Sequence, residues 1–96
     1  MVTREFVTGK RAAILEIARR HGAYDVRIFG SVARGDANES SDLDLVVRFD
    51  DARTLLDHAG LIGDLEDLLG VKVDVIDADG MRPRFRAAVE REALPL

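Results

Sequence analysis

Two aspartates two positions apart, Asp42 and Asp44, are the residues of this sequence best suited to chemistry. Residues i and i+2 of a β-strand project from one face of a sheet, so the two carboxylates would stand side by side. Like charges held that close are costly unless a cation neutralises them. Hard oxygen ligands in this arrangement suit Mg²⁺ or Mn²⁺, although an isolated pair of this kind more often faces only water.

A third carboxylate could complete such a site. Asp74 lies within the β-branched segment Val71–Ile76, where its valine neighbours would point to the opposite face. If this segment pairs beside the strand that carries Asp42 and Asp44, the three acids could bind two Mg²⁺ ions about 3.5–4 Å apart. Such ions clamp the attacking and leaving oxygens of an in-line displacement, and Asp74 would help to take the proton from the incoming hydroxyl. Taken alone, Asp74 is better explained by a solvated sheet face.

A glycine and a serine precede the aspartates. Gly30-Ser31 lies at the junction of a predicted strand and a helical turn, and ten residues separate Ser31 from Asp42. Gly30 lets the backbone turn sharply and approach a phosphate, and the free N–H groups of the turn favour an anion. The Ser31 hydroxyl adds a donor, and Arg34 adds a charged contact one turn later. We predict that Gly30, Ser31 and Arg34 hold the phosphates of a nucleotide.

The elements that must position these residues alternate between helix and strand. Periodicity predicts helices over residues 8–20, 52–69 and 84–92, a helical turn over 31–34, and strands over 24–29, 42–49 and 71–76. Thr8 is expected to cap the first helix. The pattern is typical of an α/β domain with a small mixed three-stranded sheet flanked by helices. We expect residues 1–96 to form that single domain, because the length suits only one.

Buried faces can be predicted for two of these elements. In the strand over 42–49, one face carries apolar side chains and the other carries the two aspartates. The apolar face consists of Leu43, Leu45, Val47 and Phe49. The apolar stripe expected for the helix over 52–69 consists of Leu55, Leu56, Ala59, Ile62, Leu65, Leu68 and Leu69.

Several other polar residues have simpler interpretations. Asp77 and Asp79 are explained by the turn chemistry of Asp-Ala-Asp-Gly. His21 follows a predicted helix and His58 lies on an acidic helix, which we expect to be exposed. Both histidines are therefore expected to be structural or solvated, and not catalytic.

Composition excludes several classes of protein. The net charge of −4 argues against a general nucleic-acid binder. The absence of cysteine excludes a disulfide framework and a thiolate metal site, and it suits a reducing cytoplasm. No segment approaches the roughly 20 apolar residues of a membrane span, and Met1–Lys10 does not read as a signal peptide. We expect a cytoplasmic protein that binds neither membranes nor, directly, nucleic acid.

The site residues together resemble the signature of the DNA polymerase β-like nucleotidyltransferase superfamily. The matching strings are Phe29-Gly30-Ser31-Val32-Ala33-Arg34-Gly35-Asp36 and Ser41-Asp42-Leu43-Asp44-Leu45-Val46-Val47. The segment Lys72–Ile76 looks like the third-carboxylate strand of the family, and Met81–Leu96 looks like its closing helix. From about Ala12 to Leu96, the chain is similar to the stand-alone minimal nucleotidyltransferases of bacteria and archaea.

This resemblance implies a nucleotidyltransferase fold and an Mg²⁺-dependent enzyme. Many members of the family are antitoxins of a helical ribonuclease toxin of the HEPN type, and some transfer AMP from ATP to a toxin tyrosine. The matching acids Asp42, Asp44 and Asp74 are all present, so we expect a catalytic member of the family. Its expected partners are a HEPN-type toxin and ATP.

Two other functions are compatible with the sequence. The chain could be an antitoxin that masks its toxin by contact and uses the nucleotide site weakly or not at all. It could instead be a small-molecule nucleotidyltransferase whose acceptor site forms between subunits. The complete set of site residues favours transfer to a protein. A basic cluster beside an acidic central helix, formed by Arg82, Arg84 and Arg86, offers a charge-patterned docking surface for such an acceptor.

Overall fold

From residue 11 onwards, helices and strands alternate along the chain as the periodicity predicts. The computed structural model describes residues 1–96. Its helices are α1 (Arg4–Gly9), α2 (Arg11–Arg20), α3 (Gly30–Arg34), α4 (Leu55–Leu69) and α5 (Pro83–Glu92), with a 3₁₀ turn over Ala78–Gly80. Its strands are β1 (Ala23–Phe29), β2 (Leu43–Phe49), β3 (Val73–Asp77) and β4 (Leu94–Pro95).

The strands form one mixed sheet in the order β3-β2-β1-β4. Strand β1 is antiparallel to both β2 and β4, whereas β2 and β3 are parallel. The predicted α/β class and mixed sheet are confirmed, but the predicted number of three strands is wrong. The fourth strand, β4, pairs Leu94 with Ile28 and Pro95 with Arg27. Its two residues, one of them a proline, are too few to produce a periodic signal.

Each face of the sheet carries its own apolar cluster. The larger cluster has 18 buried residues and includes Leu43, Leu45 and Val47 of β2, which pack with α2 and α4. The smaller cluster, on the opposite face, joins Val46 to Ala78 and to Val89 of α5. The alternation predicted for residues 42–49 is therefore confirmed, because neighbouring residues of β2 enter different clusters.

The start predicted for the N-terminal helix over residues 8–20 is wrong. Two helices occupy this region, and the first is capped by Thr3, whose hydroxyl accepts from Phe6 N at 3.0 Å. Thr8 lies inside α1 and is not the cap. Buried Val2 and Val7 hold α1 against the core, and Lys10 separates α1 from α2.

The helix predicted over residues 52–69 begins three residues later. Thr54 caps it at 3.2 Å from Leu56 N, and the Asp57 carboxylate accepts from Thr54 N in return. This reciprocal capping box fixes the first turn. Gly60 and Gly63 do not interrupt the helix. Although α4 is the longest helix, with 15 residues, no helix is both long and apolar enough to cross a membrane.

The apolar stripe predicted for α4 is wrong in its first two turns. Leu55 and Leu56 are 85% and 83% exposed, and Ala59 is also exposed. The buried positions are Leu61, Leu65 and Leu69, which recur every four residues, with Ile62 and Leu68 packed partly against the core. Leu56 precedes Leu61 by five residues and so lies on another side of the helix.

Both histidines join elements of the fold. His58 Nε2 donates to Val75 O at 2.7 Å, which ties α4 to β3. His21 Nε2 lies 2.7 Å from Asp64 Oδ2, which ties the end of α2 to α4. The structural interpretation of His58 is supported, although α4 is not exposed on this side, because the ring is partly buried and packs on the Phe49 ring.

Candidate active site

The parallel pairing of β2 with β3 brings two of the predicted acids together. Asp44 is the direct register partner of Asp74. Directly paired residues of neighbouring strands point to the same face, so both side chains lie on the face that carries the smaller cluster and α5. Asp42 lies one residue before β2 and follows the same alternation. The three acids therefore share one face at one end of the two strands.

The charges of these residues act on one another. Burial raises the pKa of Asp44, and the neighbouring carboxylates of Asp74 and then Asp42 raise it further. The Arg34 guanidinium opposes this by lowering the pKa of Asp44. Three acids and one arginine thus form a single electrostatic group, in which the negative charge is under-compensated.

The donor set fits a hydrated cation better than a caged one. No group of three or more His, Cys, Asp or Glu side chains is arranged to hold a metal ion unaided. Mg²⁺ usually binds through one or two carboxylates and keeps water or substrate phosphates as its other ligands. The half-buried Asp44, with Asp42 and Asp74 exposed beside it, supplies hard oxygens of that kind. These residues therefore fit Mg²⁺ that arrives with a phosphate-bearing substrate.

Gly30 lies directly against the Asp44 carboxylate. Its φ of +72° favours glycine, and a β-carbon at this position would come within 2.5 Å of Asp44 Oδ2. The sequence alone accounts for a glycine at position 30 by the approach of a phosphate. The structure adds a second reason, because a larger residue here would leave no room for the Asp44 side chain. No local signal reveals this contact, because it depends on the pairing of Phe29 with Asp44 across β1 and β2.

Ser31 and Arg34 belong to α3, which begins directly after β1. No side chain caps α3, and Ser31 is half-buried. Arg34 Nε donates to Asp36 Oδ2 at 3.2 Å, and its Nη1 lies 3.9 Å from Glu92 of α5. The pair with Asp36 is exposed and the contact with half-buried Glu92 is long, so both ion pairs are weak and the guanidinium can exchange them for another anion.

Two further acids lie outside this group. Asp77 Oδ1 accepts from Asp79 N at 3.0 Å and so caps the 3₁₀ turn. Asp79 lies 3.6 Å from Arg48. Their turn interpretation is confirmed by this geometry.

Comparison with known proteins gives the family. The model of the nucleotidyltransferase domain family matches residues 11–95. A Thermococcus cleftensis protein named protein adenylyltransferase MntA is 35% identical over 79 residues, which is 82% of this chain and 80% of that protein. A Methanocaldococcus jannaschii protein, provisionally named a protein adenylyltransferase, is 37% identical over 81 residues, covering 84% of this chain and 87% of its own.

Solved structures agree with this result. One, described provisionally as a minimal nucleotidyltransferase, has a TM-score of 0.89 and 55% identity, covering 99% of this chain and 97% of that chain. A toxin–antitoxin solved with AMP-PNP shares the fold, with a TM-score of 0.76 at 21% identity over 88% of this chain and 69% of that chain. The expected family and fold are confirmed, and the chain belongs to the nucleotidyltransferase domain family, with the fold of its minimal members.

Proposed function

We propose that this chain is the antitoxin of a toxin–antitoxin pair, and that it transfers AMP from ATP to a tyrosine hydroxyl of a HEPN-type ribonuclease toxin. The observation that carries the proposal is the register of Asp44 with Asp74, beside the Gly30 turn. This arrangement combines a cluster of carboxylates that can bind a cation with a glycine turn that a phosphate can approach. It suits an enzyme that transfers a phosphoryl-containing group better than an antitoxin that acts only by binding its toxin.

The names of similar proteins support the protein acceptor. The Thermococcus cleftensis and Methanocaldococcus jannaschii relatives are both named protein adenylyltransferases, the second provisionally. Among structures that share the fold are a toxin–antitoxin with AMP-PNP and an MntA–HpeT toxin–antitoxin in which a tyrosine is replaced by alanine. These names favour ATP as the nucleotide and a toxin as the partner, and the family resemblance suggests a tyrosine of that toxin as the acceptor.

Asp42, Asp44 and Asp74 are the residues that we assign to Mg²⁺. When bound there, up to two ions would polarise the transferred phosphoryl group and the oxygens that attack and leave it. Asp44 is the central ligand in this assignment, because it lies between Gly30 and Asp74 and both other acids raise its pKa. The protein's own contribution is to hold these carboxylates on one rigid sheet face.

The remaining site residues position the substrates. The Ser31 hydroxyl donates to a phosphate oxygen, and Arg34 exchanges its partners Asp36 and Glu92 for phosphate. Asp74, on the edge strand, accepts the proton of the tyrosine hydroxyl as the tyrosine oxygen bonds to the α-phosphorus of ATP. The bond from that phosphorus to the bridging oxygen breaks in the same displacement, and pyrophosphate leaves with its electron pair.

The test is incubation of the chain with ATP, Mg²⁺ and the HEPN-type toxin proposed as its partner, followed by mass spectrometry of both proteins. We expect the partner to gain the mass of AMP on a tyrosine. A complex that forms without any AMP on the partner would favour an antitoxin that acts by contact. A chain that neither binds nor modifies this partner would make a small-molecule acceptor the better interpretation.

A further inference from the structure

We propose that the ring of the acceptor tyrosine binds in an apolar groove between β3 and the start of α5. This inference rests on the proposed function, because it names the place where the acceptor of that transfer is held. The groove, called the acceptor groove below, is lined by Ile76, Asp77, Gly80, Met81, Arg82 and Phe85.

The acceptor groove adjoins the acidic site. Phe29, Asp44 and Asp74 are register partners across three strands and form one row on this face of the sheet. Phe85 of α5 packs edge-on against Phe29, with ring centroids 5.4 Å apart and planes 83° apart. Ile76 follows Asp74 by two residues and so shares its face. Because Phe85 and Ile76 are both walls of the groove, it opens beside the Asp44–Asp74 row.

The sheet order places the β3 wall of this groove, Ile76 and Asp77, on the side away from the predicted phosphate-binding residues, and only the Phe85 wall reaches across to Phe29. Gly30, Ser31 and Arg34 follow β1, whereas the groove is built on β3, and Asp44 on β2 lies between them. An in-line displacement brings the attacking and leaving oxygens to opposite sides of the phosphorus. A triphosphate held near α3 therefore leaves the β3 side for the acceptor. Since β3 is an edge strand, that side is open to a partner protein.

The lining suits an aromatic ring. Ile76, Met81 and Phe85 supply apolar walls, and a methionine can adapt its shape and make favourable sulfur–aromatic contacts. Phe85 is 38% exposed and can pack edge-on or offset against a second ring. The exposed Arg82 guanidinium can stack on a ring face at the rim. A tyrosine fills this space and still presents its hydroxyl towards Asp74, whereas a serine leaves the apolar walls uncovered.

Gly80 offers a way to fill the acceptor groove without disturbing the fold. No atom lies within 4 Å of a β-carbon built at Gly80, and its φ is not in the positive region. Gly63 shares both properties but lies on α4, which packs against the opposite face of the sheet. Gly80→Phe and Gly63→Phe are therefore the same chemical change, inside and outside the groove.

The experiment measures AMP transfer to the toxin, and separately the thermal shift caused by Mg²⁺-ATP, for wild type and both variants. We expect Gly80→Phe to lower transfer at least tenfold, through a higher KM for the toxin, with an unchanged Mg²⁺-ATP shift. Gly63→Phe should equal wild type in both measurements. Transfer by Gly80→Phe at the wild-type rate would overturn the proposal, and so would an equal loss of the Mg²⁺-ATP shift, because the groove would then hold the nucleobase.

A second measurement keeps the inference testable if Gly80→Phe does not fold. Wild-type protein is given a toxin in which the acceptor tyrosine is replaced by serine. We expect transfer to fall at least a hundredfold, and comparable transfer to serine would contradict a groove built for a ring. If wild type modifies no toxin at all, the proposed function fails and this inference fails with it. That outcome differs from a groove failure, in which wild type and Gly80→Phe are equally active.

Discussion

Asp44 and Asp74 stand opposite each other in register on parallel strands, so each carboxylate lies within the field of the other. Asp44 is half-buried, and its pKa is raised by that burial and by the charge of Asp74. The fold therefore holds like charges together at a cost in stability. Such a cost is typical of a site that is completed by a cation or a substrate.

This cost predicts that Asp44→Asn stabilises the metal-free protein at about pH 7. A carboxyl whose pKa is raised in the folded state binds its proton more tightly there. Folding stability therefore falls as the pH rises from the ordinary pKa to the raised one, and the penalty is complete above it. Thermal melts in a chelator should show Asp44→Asn melting a few degrees above wild type, on the order of 1 kcal/mol.

The gap should close as the pH falls towards and below 3.8, the ordinary carboxyl value, because wild-type Asp44 is then protonated in both states. Asp51→Asn removes the same charge from an exposed loop position and should leave the melting temperature near that of wild type. A lower melting temperature for Asp44→Asn at about pH 7 would count against the repulsion described here.

Gly30→Ala should disable the site, and not merely weaken the fold. The new β-carbon meets Asp44 Oδ2 at 2.5 Å and must displace that carboxylate. The positive φ adds a strain of about 1–2 kcal/mol, which urea unfolding can measure. We expect AMP transfer to fall at least a hundredfold, well beyond what the loss of stability explains.

Gly70→Ala is the matched control for this change. Gly70 has a φ of +68° at the end of α4, and no atom lies within 4 Å of an added β-carbon. It should lose a similar amount of stability and keep its transfer activity. Equal activities for Gly30→Ala and Gly70→Ala would refute the link between Gly30 and Asp44.

Ser31→Ala should slow nucleotide-dependent transfer roughly tenfold, since it removes one hydrogen bond to a charged phosphate, about 1–2 kcal/mol. The fold should be unaffected, because Ser31 is only half-buried. The rate is measured by single-turnover transfer from labelled ATP. Ser40→Ala, in the exposed loop before β2, provides the comparison and should act at the wild-type rate. Unchanged turnover in Ser31→Ala would remove Ser31 from the site.

Strand alternation was the most informative part of the sequence. It placed Asp42 and Asp44 on one face of a strand and Leu43 and Leu45 on the other, and the structure has that division. Alternation is a local property of an extended chain, so the division of side chains between the two faces does not depend on which strand pairs with it. The position of Asp74 beside Asp44 needed an assumption about pairing, because register is decided by tertiary contacts.

Other features depend on contacts between distant segments. Strand β4 arises because α5 returns the chain to β1, where Leu96 N donates to Val26 O at 3.0 Å, and nothing local in the final residues predicts it. The apolar stripe predicted at the start of α4 is wrong, because Leu55 and Leu56 are apolar and yet project into solvent. Periodicity identifies the apolar side of a helix, but not how far the core extends along it.

The buried side of α4 predicts which of its leucines contribute to stability. Leu61→Ala should cost about 2–5 kcal/mol of unfolding free energy, because Leu61 is fully buried in the larger cluster. Leu56→Ala should change it by less than about 0.5 kcal/mol, because Leu56 is 83% exposed. Urea unfolding measures the free energy of unfolding of both variants, which carry the same substitution at positions five residues apart on α4. Similar losses in both would show that Leu56 is buried in solution.

In the proposed function, the carboxylates of this sheet face carry AMP transfer to the toxin. The most direct measurement is the amount of AMP on the toxin tyrosine after incubation with ATP, Mg²⁺ and either wild type or the double variant Asp42→Asn, Asp44→Asn. We predict that wild type modifies the tyrosine, and that the double variant binds the toxin equally well without modifying it, since it loses metal ligands and no docking surface. AMP on the tyrosine at wild-type levels with the double variant would contradict the account.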